Sequence, residues 1–292
     1  MALAPVTVGI PTYNRNERVI NGLAHIFACN PVPAEIIVHI DASDGLLEQK
    51  IAEIYPSVHV LASSVRIGPG GGRHRCLQAA TQPYFASFDD DSWPVDADFF
   101  GRLVEHLELA PRTGGVAASI FLRGESPPPL TSEVRPVVDY VGCGHALKVA
   151  AYRELQGYVD RPIAYGLEER DLALQLHAAG WELLLCGDLR VFHDTDLAQQ
   201  KRPEITAATV ANAALLVWLR YPFSCWPYGL LQYLNVIGFM LSRGRLLGVV
   251  WGLLRTPLEL WRFRQLRRPI SATALHSYLR QRRLTVPSGV TA

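Results

Sequence analysis

Four short apolar runs alternate with segments of helical spacing between residues 6 and 88, and this alternation restricts the fold more than any other feature. Val6–Ile10, Glu35–Ile40, Val58–Ala62 and Tyr84–Phe88 have strand length and are bounded by Pro, Asp, Ser or Gly. Between them, Glu17–Cys29, Leu46–Tyr55 and Gly71–Thr81 space their apolar residues as helices do. Strands alternating with helices build βαβ units, so the expected fold is α/β, a mostly parallel sheet with helices on both faces. Ligands of such sheets sit beyond the carboxyl ends of the strands. The residues that follow each run are therefore where chemistry is expected.

Three of those strand ends are unusual. Pro11-Thr12-Tyr13-Asn14-Arg15 follows the first run, Asp41-Ala42-Ser43-Asp44-Gly45 the second, and Asp89-Asp90-Asp91-Ser92 the fourth. Three consecutive carboxylates repel one another unless a cation compensates them, and hard divalent cations prefer such oxygen ligands. Helix capping by Asp91 or Ser92, for a helix starting near Asp96, would explain one of the acids and leave two without a role. Gly68-Pro69-Gly70-Gly71-Gly72-Arg73 lacks the Lys-Ser/Thr of a P-loop. Its backbone N–H groups and the Arg73 guanidinium suit a phosphate, although a plain glycine turn explains the same letters.

Two acids, Glu168 and Glu169, open an amphipathic segment carrying Leu172, Leu174 and Leu176 and closed by Gly180. Acids in a first helical turn are favoured by the helix dipole, and one placed near a substrate hydroxyl can act as a general base. His193 ends another strand-like segment, and imidazole suits transition metals such as manganese better than magnesium.

Taken together, residues 6–195 resemble an inverting, non-processive family 2 glycosyltransferase of GT-A type, a Rossmann-like nucleotide-diphospho-sugar transferase fold. The resemblance places Pro11, Thr12, Tyr13, Asn14 and Arg15 against the nucleotide, Asp41 at the base, and Gly68 and Arg73 near the diphosphate. Phe88-Asp89-Asp90-Asp91 is similar to the Asp-x-Asp metal motif, so Asp89 and Asp91 inherit the metal, with His193, and Asp90 faces the sugar or ribose. Gly166 to Leu172 resembles the Glu-Asp-x-Asp-Leu motif, which puts Glu169 at the catalytic base although the family usually has Asp there. Gly144, His145 and Glu168 fall where relatives meet the acceptor. The resemblance implies Mn²⁺ or Mg²⁺, a nucleotide-diphosphate sugar donor (UDP or dTDP favoured), and an acceptor hydroxyl in polysaccharide, lipid-linked glycan or glycoconjugate synthesis. The Gln-x-x-Arg-Trp signature of processive synthases is absent.

Charge divides the chain in two. Residues 201–292 hold 13 of the 28 Lys and Arg but only 2 of the 27 Asp and Glu, so an acidic body (residues 1–200) precedes a basic tail (201–292). In the tail Trp218, Trp226, Trp251 and Trp261 interleave with Arg220, Arg243, Arg245, Arg255, Arg262, Arg264, Arg267 and Arg268. Amphipathic helices of this composition lie in membrane interfaces, with the arginines toward anionic lipid. Their density of Leu and Trp argues against nucleic acid as the partner; packing on the body or a homodimer interface is the competing account. Tyr221–Ser242 carries no charge but contains Pro222, Pro227, Gln232 and Asn235, so a clean spanning helix is not expected. No secretory leader is read at the N-terminus, and the five widely spaced cysteines suggest reduced, buried thiols. The expected location is cytoplasmic, peripheral on the inner face of the membrane.

Two other functions fit parts of this pattern. A nucleotidyltransferase or other metal-dependent nucleotide enzyme would want a lysine-rich phosphate site, and the chain has only Lys50, Lys148 and Lys201. An inactive glycosyltransferase-like scaffold is opposed by the retention of Asp89, Asp91 and Glu169.

Overall fold

The computed structural model describes residues 2–161, 167–195 and 201–285. The seven elements expected at the N-terminus form in order. They are β1 (Leu3–Thr12), α1 (Asn16–Phe27), β2 (Val32–Ile40), α2 (Leu46–Ile54), β3 (His59–Ala62), α3 (Gly68–Ala79) and β4 (Tyr84–Ser87). Strands β3-β2-β1-β4 pair in parallel in that order. Their alternate residues take opposite faces. Val6, Val8, Ile10, Val38 and Phe88 join Val19 and Leu23 of α1 and Leu47 and Ile51 of α2 in one buried cluster. On the other face Cys76 of α3 packs at Gly9, where a Cβ would lie only 3.0 Å from it. Burial on both faces is why β1, β2 and β4 read as near-continuous apolar runs, whereas β3 at the sheet edge is only partly covered.

Beyond β4 come β5 (Ser92–Pro94), α4 (Phe99–Glu108), β6 (Thr113–Leu122), β7 (Val134–Val137), β8 (His145–Lys148), α5 (Val149–Arg153), α6 (Glu168–Ala178) and β9 (Glu182–His193). The sheet continues β4-β8-β6-β9-β5, and β7 also pairs β9. In this half β6 and β9 are parallel, whereas β8 runs antiparallel to both of its neighbours, as do β5 and β7 to β9. The α/β expectation holds, with a sheet that is mixed rather than mostly parallel. Strands β5, β7 and β8 are short and are not framed on both sides by helical patterns, as the comparably short β3 is.

The basic tail is built of helices: α7 (Pro203–Arg220), α8 (Trp226–Ser242), α9 (Leu246–Arg262) and α10 (Ala272–Thr285). Helices α7 and α9 approach closely because Gly248 and Gly252 face Thr206 and Val210; a Cβ there would stand 2.5 and 2.6 Å from those side chains. Among the described residues no helix is long and apolar enough to cross a membrane. Chain contacts divide the molecule into Met1–Pro162 with Ala179–Thr195, and Ile163–Ala178 with Asp196–Ala292. Helix α6 groups with the tail helices. Two contacts tie it there: Arg220 to Asp171, and the His177 ring edge-on to Tyr278 with centroids 5.7 Å apart. All five cysteines are free and buried.

Candidate active site

The three acids after β4 sit in a tight turn closed at both ends. Ser92 N–H donates to Asp89 O, and the Asp89 N–H donates to Ser92 Oγ at 2.8 Å. Neither Asp91 nor Ser92 caps α4, whose preceding residue Asp98 also makes no side-chain cap, so the capping account of the acids falls away. Ser92 pairs with His193 in the β5–β9 ladder, and this register carries Asp91 to the histidine. His193 Nε2 stands 3.1 Å from Asp91 Oδ1 and 4.0 Å from Asp89 Oδ2.

These separations fit a cation. Adjacent ligands of an octahedral ion with bonds of about 2.1 Å stand about 3 Å apart, and opposite ones about 4 Å. The structure thus places His193 within reach of both Asp89 and Asp91, meeting Asp91 as a hydrogen-bond partner. Asp89 and His193 also share their space with Cys143, with one donor atom of each within 4.8 Å of the others. No sequence motif singles out Cys143; its place between Gly142 and Gly144, one residue from a flagged glycine, is the signal that could have found it. Complete burial pushes the Cys143 thiol well above its ordinary range.

Arginines hold the acids in place. Arg15 donates to Asp90 Oδ1 at 3.0 Å and to Asp91 Oδ2 at 2.9 Å, and Arg18, which the motif did not include, also reaches Asp91 Oδ2 at 2.9 Å. Thr12 Oγ1 donates to Asp90 Oδ2 at 2.9 Å. Burial raises the Asp90 carboxyl to about 6 against the pull of Arg15. Asp91 is also desolvated, yet its bond to His193 and the charges of His193, Arg15 and Arg18 bring it below its usual value. His193 rises in turn, because Asp91 and Asp89 outweigh its own burial.

Arg73 is not an exposed phosphate ligand in the first turn of a helix. The helix starts earlier than expected, at Gly68, and Arg73 is buried in it, donating from Nε to Ser87 Oγ at 3.0 Å and from Nη2 to Asp89. The glycines before it have a packing reason, since a Cβ on Gly72 would come 2.8 Å from Pro11 Cβ and 3.0 Å from His39 Nδ1. Asp41 is likewise engaged inside the protein. It accepts from Ser63 Oγ, from the Ile67 N–H at 2.8 Å and from the Gly68 N–H at 2.8 Å, fastening the start of α3. The expectation that Asp41 reads a base is corrected to that extent: three of its roughly four acceptor positions are occupied.

A cavity of about 490 Å³ opens between the ends of β1 and β2, lined by Asn14, Arg15, Arg18, Ile40, Ser43 and Asp44 among others. Asn14, which lines it, and Ala42, next to the lining residue Ser43, have φ of 54° and 49°, left-handed backbone that a non-glycine residue adopts at a cost of about 1–3 kcal/mol. Tyr13, which precedes Asn14, is exposed, with the Arg66 guanidinium 4.3 Å over its ring.

Gly144, with φ of 73°, turns the chain into β8 where a Cβ would press on Ile120 and Val191 at 2.9 Å. His145 follows it into the core. Its Nδ1 lies 2.8 Å from Gly142 O and its Nε2 3.2 Å from the Tyr158 hydroxyl, and burial depresses it to about 3. A neutral ring with both nitrogens engaged and 2% exposure cannot meet an acceptor, so that assignment of His145 is corrected. Glu168 and Glu169 stand in the first turn of α6, Glu168 buried and Glu169 half-buried. Gly166 of the same motif lies outside the described residues.

This sheet, with an acid turn and a histidine at its strand ends, shares its fold with solved glycosyltransferase structures. Residues 7–141, just under half of the chain, match the family described as Glycosyl transferase family 2. Over those residues the chain is similar to family 2 glycosyltransferases. Solved structures with the same fold include GalNAc-T7 with UDP, GalNAc and Mn²⁺, at 17% identity and TM-score 0.60 over 75% of this chain and 48% of that one. The mannosyltransferase PcManGT from Pyrobaculum calidifontis, in complex with GDP-Man and Mn²⁺, is 18% identical with TM-score 0.57 over 96% and 86%. TarS from S. aureus is 14% identical with TM-score 0.57 over 81% and 43%. The chain thus spans less than half the length of GalNAc-T7 and TarS. No curated protein matches it by sequence.

Proposed function

We propose that the protein is an inverting, non-processive transferase that moves one sugar from a nucleoside-diphosphate sugar to an acceptor hydroxyl. The observation that carries this reading is the convergence of Asp89, Asp91 and His193, with their arginines, beside a nucleotide-sized cavity. Asp89, Asp91 and His193 would hold Mn²⁺ or Mg²⁺, the ion being manganese in two of the structural neighbours. When bound, it neutralises the charge that develops on the departing diphosphate.

The chain's own residues supply the rest. Pro11–Arg15, Ser43 and Asp44 frame the nucleotide, and Asp41 and Gly68 organise that wall from behind. Arg73 and Ser87 fix the Asp89 carboxylate, while Arg15 aligns Asp90 toward the sugar or ribose. Glu169 takes the proton of the attacking hydroxyl, and Gly144 and Glu168 belong to the acceptor side.

Membrane association of the tail is part of the same proposal. Leu246, Leu247, Val250, Trp251, Leu254, Leu258 and Trp261 of α9 and Leu230, Leu231 and Leu234 of α8 are exposed, and Arg243, Arg255, Arg262 and Arg264 are exposed among them. An apolar stripe with arginines beside it suits the interface of an anionic bilayer. The 17 residues of α8 extend about 25 Å, short of the roughly 30 Å hydrocarbon core. We place the enzyme peripherally on the cytoplasmic face, with an acceptor that is lipid-linked.

The reading is tested by thermal unfolding with nucleoside diphosphates in the presence and absence of Mn²⁺. Binding raises the transition as RT ln(1 + [L]/Kd). UDP or dTDP with Mn²⁺ should stabilise most; no response to any nucleoside diphosphate would remove the donor assignment.

A further inference from the structure

We propose that Arg220, at the end of the tail helix α7, is a positioning residue for the transfer reaction: through its buried ion pair with Asp171 it sets the direction in which α6 presents Glu169. The inference rests on the reading of Glu169 as general base. Asp171 and Arg220 are 3% and 1% exposed. Arg220 donates from Nε to Asp171 Oδ1 and from Nη2 to Asp171 Oδ2 at 3.1 Å, a two-pronged contact.

Burial of such a pair contributes little net stability, because removing both charges from water offsets their attraction. What the planar fork supplies is geometry, since two parallel bonds fix both the distance and the rotation of the carboxylate. Asp171 lies two residues beyond Glu169 in one helical turn. Two residues correspond to about 200° around an α-helix, so a side chain pinned at Asp171 turns Glu169 to nearly the opposite side. The burial agrees: Asp171 is enclosed while Glu169 is half-buried.

The start of α6 is constrained further. Leu167 has φ of 80°, a left-handed conformation costly for leucine, and its carbonyl accepts the Asp171 N–H at 2.8 Å. Strain of this kind persists where the surroundings over-determine the backbone. Arg220 is itself held, because its carbonyl accepts the Ile270 N–H at 2.9 Å and Leu219 O accepts the Arg268 N–H. The pair therefore links a strained helix start to a fixed point in the tail.

The test uses the full chain with Mn²⁺ and release of nucleoside diphosphate from UDP-glucose, UDP-galactose, UDP-N-acetylglucosamine and GDP-mannose. Arg220→Met should lower kcat by about tenfold or more with donor KM within about twofold, the split expected when only the reacting geometry is lost. Amide exchange should rise at residues 168–172 in that variant. The double change Asp171→Leu with Arg220→Met replaces the pair by apolar packing, so its thermal transition should stay near wild type while kcat stays low. A double variant with wild-type kcat would overturn the proposal, as would loss of kcat and KM together in step with the thermal transition. Glu169→Gln in the same panel separates the two readings. Wild-type turnover in it removes the base and this proposal with it, and both also fall if the wild-type enzyme turns over none of the four donors. A dead Glu169→Gln beside an active double variant removes this proposal alone.

Discussion

His193 Nε2 lies 3.1 Å from Asp91 Oδ1, although 102 residues separate the two in the chain. The antiparallel register of β5 on β9, with Ser92 opposite His193, produces that contact. Arg15 and Arg18 approach Asp91 through its other oxygen, which leaves Oδ1 directed at the imidazole.

From this geometry, Asp91→Ala and His193→Ala should each weaken Mn²⁺-dependent nucleotide binding. The loss should be at least the ~10–100-fold typical of changes to a metal's outer shell. Titration calorimetry of UDP with Mn²⁺ checks it, and unchanged affinity in both variants would dismiss them as ligands.

Glu169→Gln should lower kcat by ~10²–10⁴-fold, the usual contribution of a general base. Nucleotide affinity should hardly change. Rapid-quench measurement of turnover beside calorimetric binding separates the two effects.

His145 predicts an acid-labile fold. Burial and Arg73 keep the ring neutral down to about 3 in the folded chain, while in the unfolded chain it titrates near 6.5. The unfolded state therefore binds more protons between those values, so stability is complete above pH 6.5 and is lost as pH falls toward 3. Denaturant unfolding at pH 7.5 and pH 5 should show a larger drop for wild type than for His145→Gln. Equal drops would contradict the assignment.

Leu254→Glu with Trp261→Glu should abolish flotation on anionic liposomes and leave the thermal transition nearly unchanged, because both side chains are more than 60% exposed. Deleting the tail is a poorer test, since α6 packs with those helices. Undiminished flotation of the double variant would discard this face as the membrane contact.

The parallel half of the sheet was legible in the chain because β1, β2 and β4 are largely buried on both faces and write themselves as apolar runs between helical patterns. The acid turn and His193 were legible as residue types at strand ends. Cys143, Arg18 and the small strands β5, β7 and β8 were not, because those strands are not framed by helical patterns on both sides and an arginine's partner is set by the fold. The tail's composition announced amphipathic helices; that α6 groups with them through Asp171 and Arg220 is a matter of pairing across 49 residues.

Sequence by itself determined the α/β alternation, the acids at the end of β4 and the segregation of basic, aromatic residues after residue 200. Each of these is a local property, readable from neighbours in the chain. Tertiary structure decided which side chains those residues meet. It buried Arg73 and Asp41 as organisers, withdrew His145 into the core, and set Asp91 against His193 through a three-residue strand. Such assignments depend on strand register and helix packing, and a shift of one residue in register would point strand residues such as His145 and His193 to the opposite face.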